Sequence, residues 1–178
     1  MPLVSTTFLC LVFAISDGDT LKVRCPDRNP VTPQVVRLAS VDAPERDQPF
    51  GWRAKKSLSE MTLRKPVRLE CREKKDRYGR SLCTAWVTPA SCTRAGCEYT
   101  LDVGQALLTM GLAWWSPQYA REQTPQQRGQ YEFSQFEAKA RRAGLWRDGD
   151  GAVPPWEWRR EHPAKHGWPS AAAATAGQ

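Results

Sequence analysis

Apolar residues run almost unbroken over positions 8–15, alternate with polar ones over 20–25, and return over 35–41. Short runs of this kind predict three strands. Between the first two lies Ser16-Asp17-Gly18-Asp19, where Asp and Gly favour a tight reversal, so these strands are expected to form a hairpin. The period changes at 48–64. No proline interrupts after Pro49, and Trp52, Leu58, Met61 and Leu63 recur at loosely helical intervals beneath a basic outer face. Pro66 ends this helix. Strands at 67–72 and 81–87 then flank Asp76-Arg77-Tyr78-Gly79, a second hairpin with glycine at its turn. Segments 101–114 and 125–143 read as two further helices, with Gly144 as the C-terminal stop. The pattern predicts an α+β fold in which five strands close into a small Greek-key barrel of the OB type, with about three α-helices. This domain is expected to span residues 1–147. From Asp148 onward Gly, Pro and Ala dominate, so 148–178 is expected to be a largely disordered Pro/Trp/Ala-rich tail beyond an anchor at Trp156 and Trp158.

Charge sharpens this outline. Residues 51–80 hold eleven Lys or Arg and four acids, a surplus of seven that equals the net charge of +7 on the whole chain. Concentrated positive charge lowers the energy of a nearby polyanion, which points to DNA or RNA as partner; a merely solvated basic face is the plain alternative. No stretch of eighteen apolar residues exists, so no membrane-spanning helix is expected. Segment 8–15 lacks a basic leader and runs into a polar turn, which suits a buried strand better than a signal-peptide core. Any export signal is expected to lie outside this sequence.

The six cysteines fall into pairs that the turns bring together. Cys10 and Cys25 are symmetric about the Asp17-Gly18 turn, Cys71 and Cys83 flank the Tyr78 turn, and Cys92 and Cys97 flank a four-residue loop. This symmetry suggests disulfides and a periplasmic or secreted protein. A zinc site is the rival, although no short CxxC spacing is present and both histidines, His162 and His166, lie in the tail. Free buried thiols are the remaining alternative.

Three segments carry candidate chemistry. Asp17-Gly18-Asp19-Thr20 offers two carboxylates at a hairpin, which alone is most simply a turn. Segment 37–45 places Arg37, Asp42 and Glu45 in succession at the end of an apolar strand, either a reactive cluster or a structural ion pair. Asp76-Arg77-Tyr78-Gly79-Arg80 is a turn with an arginine at its exit, or simply a charged loop. Cleaving a phosphodiester needs an activated water, neutralisation of charge at phosphorus and usually a metal. With both histidines in the tail, the available means are carboxylate, arginine and a hard cation.

Together and in this order, the three segments resemble the staphylococcal nuclease family. The likeness extends from Phe8 to Trp146 and includes Gly111-Leu112-Ala113, Ala138-Lys139-Ala140 and Leu145-Trp146. The resemblance implies a calcium-dependent nuclease yielding 3′-phosphate products, and a monomer. It implies that Asp19, rather than Asp17, and Asp42 hold one Ca²⁺ with the backbone carbonyl of Ala43. Glu45 would then orient or deprotonate the attacking water, and Arg37 and Arg80 would grip the scissile phosphate. Arg77 and Tyr78 fall where the family contacts a terminal phosphate. Two departures stand out: Ala43 replaces a common threonine, and Trp114-Trp115-Ser116-Pro117-Gln118-Tyr119 replaces a tyrosine-bearing run, leaving Trp115 and Tyr119 as rival base-stacking residues. Two other functions are conceivable on the same chain: a catalytically inactive nucleic-acid-binding OB module, and a disulfide-stapled structural protein.

Overall fold

The computed structural model describes residues 5–26, 33–149 and 151–163. Strands β1 (Ser5–Asp17) and β2 (Thr20–Arg24) form the first hairpin, with Ile15 opposite Leu21 and Asp17 opposite Thr20. Strand β3 (Gln34–Leu38) continues the meander on β2. On the other edge of β1 lies β5 (Pro66–Lys75), and β5 pairs antiparallel with β6 (Ser81–Val87). The sheet closes because β3 also runs parallel to β6, with Arg37 opposite Leu82 and Leu38 opposite Cys83. A closed five-stranded barrel results, as the hydrophobic pattern predicts for an OB-type α+β fold.

Inward-facing Val12, Leu21, Val23, Val36, Leu38, Val67, Leu69 and Ala85 fill the barrel. Helix α1 (Gly51–Thr62) plugs one side with Ala54 and Leu58, both fully buried. Its seating differs from the expected one: Trp52 is 69% exposed, because the helix turns its small residues inward where barrel and helix approach closely. The apolar segment 101–114, expected as one helix, is divided. Leu101–Asp102 (β7) pairs antiparallel with the end of β6, Asp102 then caps α2 (Val103–Thr109) by accepting a hydrogen bond from the Gln105 amide, and Gly111 turns the chain at φ 65°. Trp114–Trp115 (β8) pairs with Val41–Asp42 (β4). Thr124 and Gln127 form a capping box at the head of α3 (Pro125–Ala140). Tyr131 of α3 donates to Asp102 at 2.8 Å, tying α3 to the cap of α2.

A second apolar cluster of Trp114, Ala138, Leu145 and Trp146 lies beside the barrel. Ala152 and Trp156 pack against it, and the chain forms a fourth helix, α4 (Pro155–Glu161), where the composition suggested only an anchor within a disordered tail. Residues 164–178 lie outside the described part.

All three cysteine pairs are disulfides: Cys10–Cys25, Cys71–Cys83 and Cys92–Cys97. The first two lie inside the barrel wall, buried, whereas Cys92–Cys97 closes a half-exposed loop. Access of reductant governs the rate of exchange, so Cys92–Cys97 is expected to open first under graded thiol, followed by alkylation and mass mapping. Earlier labelling of Cys10 or Cys71 would contradict this assignment of accessibility. Three disulfides are the chemistry of an oxidising compartment and are consistent with a periplasmic or extracellular protein. No described helix is long and apolar enough to cross a membrane.

Candidate active site

Four chain segments converge at one end of the barrel. The β1–β2 turn supplies Asp19. This turn is pressed against the rest of the site: a Cβ on Gly18 would sit 2.8 Å from the Cβ atoms of both Ala43 and Ala54. Asp19 is buried; one carboxylate oxygen accepts from the Thr20 hydroxyl at 2.8 Å and the other from the Ala43 amide at 3.3 Å. Arg37 reaches in from the β3–β6 seam. Its Nη2 donates to Asp42 Oδ1 at 3.0 Å and stands 3.5 Å from Asp19 Oδ2, so one guanidinium bridges the two carboxylates. The β4–β8 pair fixes Asp42, which has almost no exposed surface.

Glu45 is held by a compact loop. Its amide donates to the Gln48 side chain, its carbonyl accepts from the Gln48 amide, and Gly51 begins α1 directly beneath it. A Cβ on Gly51 would lie 1.8 Å from the Glu45 carbonyl oxygen, so no side chain fits while this loop keeps its shape. Gly51→Ala is therefore expected to displace Glu45 and lower turnover by about 10²-fold, the scale of an ångström-level misplacement of a reacting group. Unchanged turnover in steady-state assays would show that the loop tolerates the shift.

Arg80 comes from the β5–β6 turn, and its placement depends on a residue whose role was not read from the sequence. Asp76 accepts from the Tyr78 and Arg80 amides at 2.9 Å each and from Arg80 Nε at 2.7 Å. Slight burial opposes ionisation of Asp76, but the hydrogen bonds and charge of Arg80 outweigh it and hold the carboxyl below its ordinary range. By using the Nε edge, Asp76 orients the guanidinium of Arg80. An acid four residues before an arginine, across a glycine turn, is the local signal for this positioning role. Tyr78 packs against Arg77 and Arg80, with their guanidinium carbons 4.8 Å and 5.2 Å from its ring centre.

These elements border a cavity of about 680 Å³. Asp19, Arg37, Ala43, Glu45, Arg77, Tyr78, Arg80 and Tyr119 all line it. Asp42 lies behind its surface. Trp115 does not line it: β8 pairing turns Trp115 aside, and its indole Nε1 donates to Gln123 at 2.9 Å. Tyr119 instead lines it and has two cations near its ring, the Arg37 and Arg72 guanidinium carbons each 5.8 Å from its centre. Trp156, Arg159 and Arg160 of α4 complete the wall. Trp156 was expected only as an anchor, and Arg159 and Arg160 were not expected here at all because the tail composition suggested disorder; Pro155 at the first helical position, followed by Trp and paired Arg, is the signal that marks a helix there.

Arg159 makes the strongest new contacts. Its Nη1 donates to Glu45 Oε1 at 2.6 Å, and its Nη2 to Asp42 Oδ2 at 2.8 Å. Burial opposes the charge on Arg159, but Asp42 and Glu45 more than offset it and raise its pKa. Arg37 behaves alike: burial disfavours its charge, and Asp19 and Asp42 outweigh the effect. Burial pushes the Asp42 carboxyl up, opposed by Arg37 and Arg159.

Among the described residues, no three His, Cys, Asp or Glu side chains converge tightly enough to hold a metal by themselves. Two carboxylates remain, Asp19 and Asp42, both within 3.5 Å of one guanidinium nitrogen and joined by the backbone of residue 43. Such an all-oxygen donor set fits a hard divalent cation that keeps several waters.

Over residues 35–148 the chain matches the family described as staphylococcal nuclease homologue. Protein ParB of Escherichia coli is 39% identical over 150 residues, covering 84% of this chain and 78% of the relative. The micrococcal nuclease of Shigella flexneri is 36% identical over 149 residues, covering 84% and 79%. An uncharacterized endonuclease of Haemophilus influenzae is 34% identical over 152 residues, covering 85% and 73%. With the closed barrel and this extent of matching sequence, the chain belongs to the staphylococcal nuclease family.

Proposed function

We propose that this chain, a nuclease of that family, hydrolyses phosphodiester bonds of DNA, RNA or both in a Ca²⁺-dependent reaction at the cavity bounded by Asp19, Arg37, Glu45 and Arg80. The observation that supports this reading most is the convergence of two guanidiniums and three carboxylates from four chain segments on one cleft. Asp19, Asp42 and the Ala43 carbonyl would hold the ion, which when bound supplies a positive charge against the phosphate and acidifies nearby water. Glu45 accepts the proton of the attacking water at a carboxylate oxygen. Arg37 and Arg80 donate to the non-bridging phosphate oxygens, where charge grows as phosphorus becomes pentacoordinate; the fork geometry of guanidinium suits this task better than an ammonium. Arg77 and Tyr78 contact the neighbouring phosphate, and Tyr119, already flanked by cations, offers its ring to a base. The protein acts as a monomer in an oxidising compartment.

The test is an assay on single- and double-stranded DNA and RNA with Ca²⁺, Mg²⁺ or chelator, followed by end analysis. Cleavage that requires Ca²⁺ and leaves 3′-phosphates is expected; Ca²⁺-independent cleavage or 5′-phosphate ends would contradict the assignment.

A further inference from the structure

Both oxygens of Asp42 are occupied in this structure. Oδ1 accepts from Arg37 at 3.0 Å and lies 3.5 Å from Arg159 Nη1, while Oδ2 accepts from Arg159 Nη2 at 2.8 Å. The same Arg159 fork reaches Glu45 at 2.6 Å. A guanidinium from the C-terminal helix thus joins the carboxylate assigned to the metal and the one assigned to water. The helix that carries it rests on the loop that carries Glu45: Gln48 Nε2 donates to the Val153 carbonyl at 2.6 Å, and Trp156 packs into the Trp114/Trp146 cluster.

Electrostatics makes this arrangement competitive with metal binding. Asp19, Asp42 and Glu45 carry three negative charges against the two positive charges of Arg37 and Arg159. A divalent ion added with Arg159 in place would leave this five-residue cluster with a net positive charge before any substrate arrives. With Arg159 withdrawn, the ion and Arg37 balance the three carboxylates. The side chain of Arg159 lines the cavity wall and is 28% exposed, so it is in contact with solvent.

We propose that Arg159 is an internal competitor for the metal position, held there by α4, and that its release from Asp42 sets the Ca²⁺ affinity of the protein. The inference rests on the reading that Asp42 holds the cation. It assigns a function to the C-terminal helix: coupling its docking to metal loading.

Calcium titration by calorimetry on the full chain tests this directly, without reference to activity. Arg159→Ala is expected to tighten Ca²⁺ binding by about tenfold or more, the scale of one charge-assisted, two-pronged pair. Arg159→Lys, which keeps the charge and loses the fork, is expected to fall between Arg159→Ala and the wild type. Arg160→Ala is the control for bulk charge: Arg160 lines the same cavity and pairs with Glu157 of its own helix at 3.9 Å, so a change of less than about twofold is expected. Equal affinities for wild type, Arg159→Ala and Arg159→Gln would overturn the competition while leaving the metal assignment standing. Equal tightening by Arg159→Ala and Arg160→Ala would also overturn it, replacing a specific contact with general repulsion. Failure of Ca²⁺ to bind either wild type or Arg159→Ala would overturn both readings.

Discussion

Replacing Arg80 or Arg37 with lysine is expected to lower turnover on DNA by about 10²-fold or more, since one donor to a transition-state oxyanion is typically worth a few kcal/mol. The two substitutions should differ in a second respect. Arg80 is tied to Asp76 within its own turn, so Arg80→Lys should leave Ca²⁺ affinity close to that of the wild type. Arg37 bridges Asp19 and Asp42, so Arg37→Lys should disturb both turnover and metal binding. Turnover at saturating DNA and calorimetric Ca²⁺ titration separate these effects. A near-normal rate for either variant would remove that arginine from the phosphate grip.

Glu45→Gln should also reduce turnover by about 10²-fold or more, the range associated with loss of a general base. The amide keeps the shape of the side chain and cannot take a proton at neutral pH. Asp19, Asp42 and Ala43 are unaltered, so no proposed metal ligand is lost, and Ca²⁺ affinity should shift only through the altered charge and the weaker hold on Arg159. A large loss of metal binding would instead make Glu45 a ligand, and the proton acceptor would have to be sought elsewhere along the cavity.

Local sequence patterns carried much of this architecture. The two hairpins announce themselves through Asp-Gly and Tyr-Gly turns between apolar-rich runs, and Arg37, Asp42 and Glu45 stand close together in the chain because they lie on β3, on β4 and in the loop that follows. What was not legible depends on partners far away in sequence. Segment 101–114 is largely apolar and reads as one helix; it divides because Asp102 caps α2, Gly111 reverses the chain and Trp114 finds a strand partner in Asp42. The same pairing separates Trp115 from Tyr119, which are equivalent aromatics when only composition is considered. Trp52 fits the apolar period of α1 yet faces outward, since the close approach to the barrel admits Ala54 and not an indole. The tail misleads most. Trp156 packs near Trp146, in keeping with the expected anchor, but composition gives no sign that Arg159 forms part of a helix and reaches Asp42, 117 positions earlier. Only tertiary structure reveals that the most intimate neighbour of the proposed metal carboxylate comes from outside the expected domain.

A metal-dependent phosphodiesterase site is what we propose for the carboxylates and arginines at the end of this barrel. Release of acid-soluble nucleotides from DNA, followed continuously in Ca²⁺ and then after a chelator is added midway, tests it most directly. Steady release that stops on chelation and resumes when excess Ca²⁺ is restored is the predicted result; release that continues undiminished through chelation, or none at any stage, would contradict it.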